Sequence, residues 1–138
     1  MTAKNRGNRP SASRTSFAAP STPVSLDSEP PKFSLHFLCP DFDVHALDAE
    51  GQAAFAKTLQ KLSSSSWADL KRAQRHGQGS ELIPAVEIKA RIPSQFQGEP
   101  KFMVFRYRGM LPMAGVRVRD VYHVLWIEPE FGRLYDHD

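Results

Sequence analysis

The sequence contains little cysteine and no long apolar run. Its one cysteine, Cys39, cannot form an internal disulfide, so a reducing compartment such as the cytoplasm is expected. No apolar stretch approaches the length that a membrane-spanning helix requires, so no interaction with a membrane core is expected. With 41% hydrophobic and 24% charged residues, the composition is typical of a globular domain in water.

The first 31 residues lack the apolar side chains that a folded core needs. Phe17 is the only aromatic residue among them, and the stretch is otherwise rich in Ser, Thr, Ala, Pro and Arg. Such a segment cannot bury enough apolar surface to offset the entropy lost on ordering. No apolar segment follows its first basic residues, so a secretory signal is not expected. We predict a disordered basic extension over residues 1–31 and one folded domain over residues 32–138.

The charges are unevenly distributed along the folded part. The chain carries a formal net charge of +3. Residues 32–70 contain three Lys or Arg against five Asp or Glu, whereas residues 71–127 contain ten against four. A basic half usually contacts an anionic partner, either nucleic acid or an acidic protein. The alternative is a solvated basic face that has no dedicated ligand.

Two helices and a first strand are predicted in the N-terminal half of the domain. Apolar residues alternate with others from Phe33 to Phe37, which is typical of a strand. Asp48 is a candidate N-cap for a helix that carries an apolar stripe through Phe55, Leu59 and Leu62. Four serines at 63–66 end this helix, and Ser66 with Asp69 three residues later predicts a second, capped helix.

The C-terminal half is predicted to form three strands. Residues 86–92 alternate strictly between apolar and charged side chains, and residues 101–109 and 117–127 also have strand patterns. The segment 110–115, which contains Pro112, is predicted to be a loop. The predicted fold is α+β, with a helical hairpin packed on one face of a four-stranded, mainly antiparallel sheet in the order β-α-α-β-β-β.

Three segments of this pattern are similar to those of a known family. The Tyr- and Arg-bearing strand at 102–108, the apolar strand at 121–127 and the Tyr- and His-bearing terminus at 134–138 resemble the RelE/ParE superfamily of bacterial toxins. The resemblance covers residues 32–138. It implies a toxin that is neutralised by a cognate antitoxin protein. Members of the RelE branch cut mRNA on the ribosome, and members of the ParE branch poison DNA gyrase.

Metal-free cleavage of RNA requires a base, cations at the phosphate and an acid for the leaving oxygen. Arg106 and Arg108 lie two residues apart on one predicted strand, so we expect both guanidinium groups to project to one face and bind the phosphate. Proton transfer or orientation is assigned to His76, Tyr135 and His137. The residues predicted to contact the substrate around them are Arg75, Lys89, Arg91, Tyr107, Arg117, Arg119 and His123.

Each candidate also has a plainer interpretation. Arg106 and Arg108 are equally compatible with surface salt bridges, His76 with a helix C-cap, and His123 with a hydrogen-bonded core residue. Tyr135 and His137 are also compatible with a frayed terminus. No spacing matches a metal site, no glycine-rich phosphate loop is present, and no cofactor is expected.

The leading expectation is therefore a cytoplasmic toxin that cleaves mRNA without a metal ion. Its expected partners are an antitoxin and mRNA, either free or on the ribosome. The alternatives are a toxin of the same fold that poisons gyrase, and a module that binds RNA or a protein without catalysing a reaction.

Overall fold

The computed structural model of the chain describes residues 25–75 and 79–137. Two helices and five strands occur in the described residues. In chain order they are β1 (Lys32–Ser34), α1 (Ala49–Leu62), α2 (Trp67–Arg75), β2 (Ser80–Pro84), β3 (Lys101–Arg108), β4 (Leu111–Val118) and β5 (Val121–Ile127). Short 3-10 turns are formed by Val44–Ala46, Ala85–Glu87 and Ser94–Phe96.

The strands form one mixed sheet in the order β1-β5-β4-β3-β2. After β1 the chain passes through the helical hairpin to the far edge of the sheet, and β2 to β5 return as an antiparallel meander. This path brings β5 beside β1 in a parallel pair. The α+β class is confirmed, and the sheet is mainly antiparallel as predicted, because three of its four strand pairs are antiparallel. The predicted number of four strands is wrong, because the sheet has five.

The strand predicted at 86–92 is not a strand. The chain pairs with β3 earlier, over Ser80–Pro84, and Ala85–Glu87 then forms a 3-10 turn. Ile88, Ala90 and Ile92 pack against the sheet from the connection that follows, so their side chains are partly buried. Alternating burial therefore also arises in an extended segment that covers a sheet, and the alternation alone did not identify a strand.

Residues 111–115 of the predicted loop at 110–115 instead belong to β4. The predicted strand at 117–127 is divided between β4 and β5. The two strands are joined by a tight turn at Arg119, whose φ angle is 59°. Pro112 is accommodated where the pairing of β3 with β4 shifts register, since a proline cannot donate a ladder hydrogen bond. At Gly115 a Cβ atom would lie 1.9 Å from the carbonyl oxygen of His123, so a close backbone approach requires glycine there.

Both predicted helix starts are confirmed. The side chain of Asp48 accepts a hydrogen bond from the backbone N–H of Gly51 at 2.7 Å. Ser66 and Asp69 form a reciprocal capping box, because the N–H of Asp69 donates to Ser66 Oγ and the N–H of Ser66 donates to Asp69 Oδ2. The buried residues that join the helices to one face of the sheet are Leu47, Phe55, Leu62, Trp67, Leu70, Phe105, Tyr107, Met113, Tyr122, Val124 and Ile127.

The opposite face of the sheet is covered by irregular chain. The connection between β2 and β3 packs there, together with the segment that follows β5. Leu134 and Tyr135 of the terminal segment are buried against Phe102 and Trp126 of the sheet. This arrangement places the C-terminal residues beside β2 and β3.

Contacts begin before the domain boundary that was predicted at Lys32. The carboxylate of Asp27 bonds to Lys71 Nζ on α2 at 2.7 Å and to Arg117 Nη2 on β4 at 2.8 Å. The carbonyl of Asp27 also accepts from the N–H of Ala68 at 2.8 Å. Residues 1–24 of the predicted extension lie outside the described residues. None of the helices in the described part has the length and apolar character of a membrane span.

Candidate functional site

A pocket of about 500 Å³ lies between β2, the turn that joins β3 to β4, and the C-terminal segment. Three of the predicted catalytic residues, Arg106, Tyr135 and His137, line it together. Arg106 lies on β3, whereas Tyr135 and His137 lie in the C-terminal segment. These residues are far apart in sequence and become neighbours only in the folded chain. The other charged or exposed residues of its wall are Glu81, Leu82, Pro84, Glu87, Met110, Phe131 and Asp136.

Arg106 is held at the pocket by two partners. Its Nη2 atom donates to Glu81 Oε1 at 2.6 Å, and its Nη1 atom donates to the carbonyl oxygen of Met110 at 2.7 Å. The Glu81 side chain on the edge strand remains more than half exposed. A guanidinium group has further N–H donors, so Arg106 can still bind a phosphate oxygen while it keeps these contacts.

His137 is oriented by a buried carboxylate. Its Nε2 atom lies 2.7 Å from Glu128 Oε1, and Glu128 has no solvent-exposed surface. The other carboxylate oxygen, Oε2, accepts the backbone N–H of Leu134 at 2.7 Å. An ionised carboxylate only accepts hydrogen bonds, so Nε2 of the imidazole is the donor whenever Glu128 is ionised. Nδ1 makes no hydrogen bond to any residue that the structure describes.

Aromatic rings pack against both sides of this imidazole. The Phe131 ring stacks on His137 with centroids 4.0 Å apart and planes at 12°, and the Tyr135 ring lies 4.3 Å away at 30°. Burial raises the pKa of the Tyr135 hydroxyl, and the nearby Arg106 guanidinium partly opposes this rise. The Tyr135 hydroxyl is buried and makes no hydrogen bond to a described residue. Arg106 is nevertheless close enough to lower the pKa of this hydroxyl.

Lys89 anchors the C-terminal segment. Its backbone N–H donates to the carbonyl of Leu134 at 2.7 Å, and its Nζ atom donates to the carbonyl of Gly132 at 2.9 Å. The same Nζ lies 2.6 Å from Asp136 Oδ1. The structure therefore places Lys89 as a support of the terminal segment, whereas the sequence predicted that it contacts substrate.

Arg108 does not share the site of Arg106. A register irregularity separates the two residues in the pairing of β3 with β4, which breaks the alternation that the prediction assumed. Arg108 donates to Asp48 and to Glu50, each at 2.9 Å, at the start of α1. The prediction that the two guanidinium groups stand together at one phosphate therefore fails on geometry.

Two of the other predicted residues belong to the core. Tyr107 is buried on the helical side, and its hydroxyl donates to the carbonyl of Glu128 at 2.6 Å. Burial raises the pKa of Tyr107 to about 12. His123 is half-buried, with its ring 5.7 Å from those of both Phe37 and Phe96. Its Nδ1 atom is buried and has no hydrogen-bond partner in the part of the chain that the structure describes.

The remaining predicted residues are distributed over other surfaces. Arg117 bonds to Asp27 and its guanidinium lies 4.4 Å from the centroid of the Trp67 ring. Arg119 is exposed in the β4–β5 turn, and Arg91 is exposed beside a second cavity near Cys39. Arg75 is the last residue of α2, and His76 lies outside the described residues.

Three residues that contact Arg106 or His137 were not predicted from the sequence. Glu81 lies on a strand that the pattern placed elsewhere, and Phe131 was assigned no role. Glu128 follows the apolar strand Val121–Ile127 directly. The pairing of Glu128 with His137 could have been inferred from the sequence. An acid next to an apolar strand is expected to be buried with a dedicated partner, and a histidine follows nine residues later.

Comparisons with protein-family models, with curated proteins and with solved structures find no significant match to this chain. In the described residues, no group of three or more His, Cys, Asp and Glu side chains is placed to hold a metal ion. A proposal for the function therefore depends on the residues of the pocket.

Proposed function

We propose that the pocket around Arg106 is the active site of a toxin-like endoribonuclease that cleaves mRNA without a metal ion. The observation that carries the proposal is that Arg106, Tyr135 and His137 line one pocket. A carboxylate, Glu81, lies in the same pocket and contacts Arg106. The order of elements supports it in part. A strand, a helical hairpin and an antiparallel meander follow one another as the RelE-like resemblance implies, but the meander has four strands instead of three.

Each residue has one role in the proposed reaction. The Glu81 carboxylate takes the proton of the ribose 2′-hydroxyl, and the 2′-oxygen then attacks the adjacent phosphorus. Arg106 stabilises the negative charge that develops on the phosphate oxygens. The P–O5′ bond breaks, and His137 protonates the leaving 5′-oxygen. The products are a 2′,3′-cyclic phosphate and a 5′-hydroxyl end.

Glu128 positions His137 for this step. A buried carboxylate that accepts from an imidazole fixes the ring orientation and stabilises the positive charge that the ring carries as an acid. Tyr135 packs against the same ring and keeps its hydroxyl near Arg106. Tyr135 is thus assigned to orientation. Arg108, paired with two carboxylates at the start of α1, is assigned no part in the reaction.

A non-catalytic module that binds a protein is the second candidate. The specific observation in its favour is the wall of the pocket, where Leu82 and Met110 are exposed apolar residues beside the acids Glu81, Glu87 and Asp136. Exposed apolar residues with charged neighbours are typical of a surface that contacts another protein. The same surface suits a cognate antitoxin that covers the pocket, so the two proposals differ in whether RNA is cut.

Inducible expression in a bacterial host distinguishes the candidates. We expect the unaltered protein to arrest growth and to generate new 5′ ends within coding regions, and we expect R106A and H137A to abolish both effects at equal protein levels. K101A is the matched control, because Lys101 is an exposed cation on the same strand that makes no ion pair with a described residue.

Two other outcomes would each favour a different function. An SOS response with intact transcripts would favour gyrase poisoning over RNA cleavage. A protein that accumulates in folded form without affecting growth would contradict a toxin and would favour the binding module.

A further inference from the structure

Phe131 is a large aromatic residue whose side chain lies mostly outside the hydrophobic core. It retains 56% of its surface, and it is the only aromatic residue among the exposed large apolar residues that the structure describes. Most large aromatic residues are buried, so one presented to solvent at a pocket commonly serves contact with a ligand. Phe131 lines the same pocket as Arg106 and His137.

A fixed turn presents this ring. The N–H of Arg133 donates to the carbonyl of Glu130 at 3.2 Å, and Gly132 has a φ angle of 85°, which a glycine tolerates. Lys89 Nζ donates to the carbonyl of Gly132 at 2.9 Å. Because the turn is anchored, Phe131 loses little conformational entropy when its open face is covered.

The ring continues an existing stack. Phe131 and Tyr135 both lie against the imidazole of His137 at shallow angles, so the imidazole is placed between them. The face of Phe131 that points away from His137 is the open end of this series of rings. A flat heterocycle can extend the series there with the same spacing.

The charges of the pocket favour stacking on Phe131 over attraction of the phosphate backbone. Among the described residues that line the pocket, Arg106 and His137 are the only two that can carry positive charge, against Glu81, Glu87 and Asp136. Attraction of the phosphate backbone is therefore weak at this wall, and a nucleic acid needs another source of affinity. Stacking of a base on an aromatic ring supplies it, provided that the base is unpaired.

We infer that Phe131 stacks one unpaired base of single-stranded RNA beside the phosphate that Arg106 binds. This inference rests on the nuclease proposed for the pocket and names its substrate as single-stranded RNA. Duplex RNA is excluded as a substrate because its bases are already stacked and paired.

Fluorescence of a base analogue measures the contact without cleavage. The probes are short oligonucleotides that are 2′-O-methylated throughout, so that no 2′-hydroxyl can attack, with 2-aminopurine at each position in turn. We expect binding to quench 2-aminopurine at one position with the unaltered protein and with F131W. We expect F131L to lose the quenching and to weaken binding roughly tenfold or more.

Two controls distinguish loss of the ring from loss of the fold. V86A alters an exposed apolar residue outside the pocket wall and should leave quenching and affinity unchanged. Circular dichroism and the melting temperature show whether F131L is folded. Binding dominated by stacking should also depend only weakly on salt concentration.

Cleavage of unmodified RNA is measured in parallel so that the two ideas can fail separately. If RNA is cut but F131L binds, quenches and cuts like the unaltered protein, the stacking inference is overturned and the nuclease stands. If the unaltered protein neither binds the probes nor cuts RNA, the nuclease proposal fails and the inference fails with it. Equal affinity for duplex and single-stranded probes would also overturn the inference.

Discussion

The Nε2 atom of His137 lies 2.7 Å from Oε1 of Glu128, a carboxylate that is fully shielded from solvent. A buried charge is stable only when its partners are in place. This pair therefore serves two purposes, since it secures the C-terminal segment to the sheet and it holds an imidazole in the pocket.

Removing the imidazole should destabilise the fold through the carboxylate that remains. We expect H137A to lower the free energy of unfolding by roughly 3 kcal/mol, because the buried Glu128 side chain would lose its partner. The double variant E128Q/H137A should recover part of this loss, since a neutral amide needs no counter-charge. Urea denaturation measures both; equal stability of the single and double variants would show that the buried charge is not the cause.

The close approach of β4 to β5 should tolerate no side chain at Gly115. A Cβ atom there would lie 1.9 Å from the carbonyl oxygen of His123, whereas a Cβ at Gly98 meets no atom within 4 Å. We expect G115A to destabilise the protein by about 3 kcal/mol or more and G98A to have little effect. A comparison of the two melting temperatures checks this, and similar values would mean that the strands separate readily at Gly115.

Asp27 should contribute acid-sensitive stability. Its hydrogen bonds with Lys71 and then Arg117 hold the pKa of this carboxyl below its ordinary value of 3.8. A carboxyl whose pKa is lowered by folding stabilises the folded state above the unfolded pKa, and the contribution is lost as the pH falls below it. We therefore expect D27N to melt at a lower temperature than the unaltered protein at about pH 7, with the difference vanishing near about pH 2.

E99Q provides the control, because Glu99 forms no ion pair with a described residue. Its melting temperature should follow that of the unaltered protein across the same range. A constant difference between D27N and the unaltered protein at every pH would contradict the role assigned to the Asp27 charge.

The tyrosines should make the fold sensitive to alkali. Burial raises the pKa of Tyr107 to about 12 and also raises those of Tyr122 and Tyr135 above 10.0, and these are the three tyrosines of the chain. A phenol whose pKa is raised by folding holds its proton longer in the folded state, so stability is lost as the pH rises above the unfolded value. Ultraviolet absorbance near pH 10.0 should show less tyrosinate in the folded protein than in the protein unfolded in urea.

Replacement of one phenol tests the assignment. Y107F should reduce the alkaline loss of stability, and it should cost about 1 kcal/mol at neutral pH because the hydrogen bond to the Glu128 carbonyl is lost. A tyrosine that titrates normally in the folded state would contradict the burial described here.

The helices could be predicted because their determinants are local. Asp48 caps one helix and Ser66 with Asp69 caps the other, and both signals lie within a few residues of the turns that they stabilise. The third strand of the sheet was also recognisable, since residues 101–108 alternate between two buried faces.

The edge strand and β4 were not predictable from local pattern. Ser80–Pro84 is a strand because it pairs with β3, whereas the more regular alternation at 86–92 comes from packing over the sheet. Pro112 and Gly115 indicated a loop, but a register shift and a close backbone approach accommodate them within a strand. These are tertiary effects, which no single segment encodes.

The site could be predicted in part. Arg106, Tyr135 and His137 were identified by residue type and meet in one pocket. Their pairing with Glu81 and Glu128 depends on strands and segments far apart in sequence, and a bulge that the pattern did not indicate removed Arg108 from the site.

Incubation of the purified protein with end-labelled single-stranded RNA, in EDTA and with or without ribosomes, tests the central claim most directly. We predict fragments with 2′,3′-cyclic phosphate and 5′-hydroxyl ends, cut roughly a hundredfold more slowly by folded E81Q, R106A and H137A. R108A should retain the rate. Intact RNA under every condition, or cleavage that E81Q, R106A and H137A leave unchanged, would contradict the account.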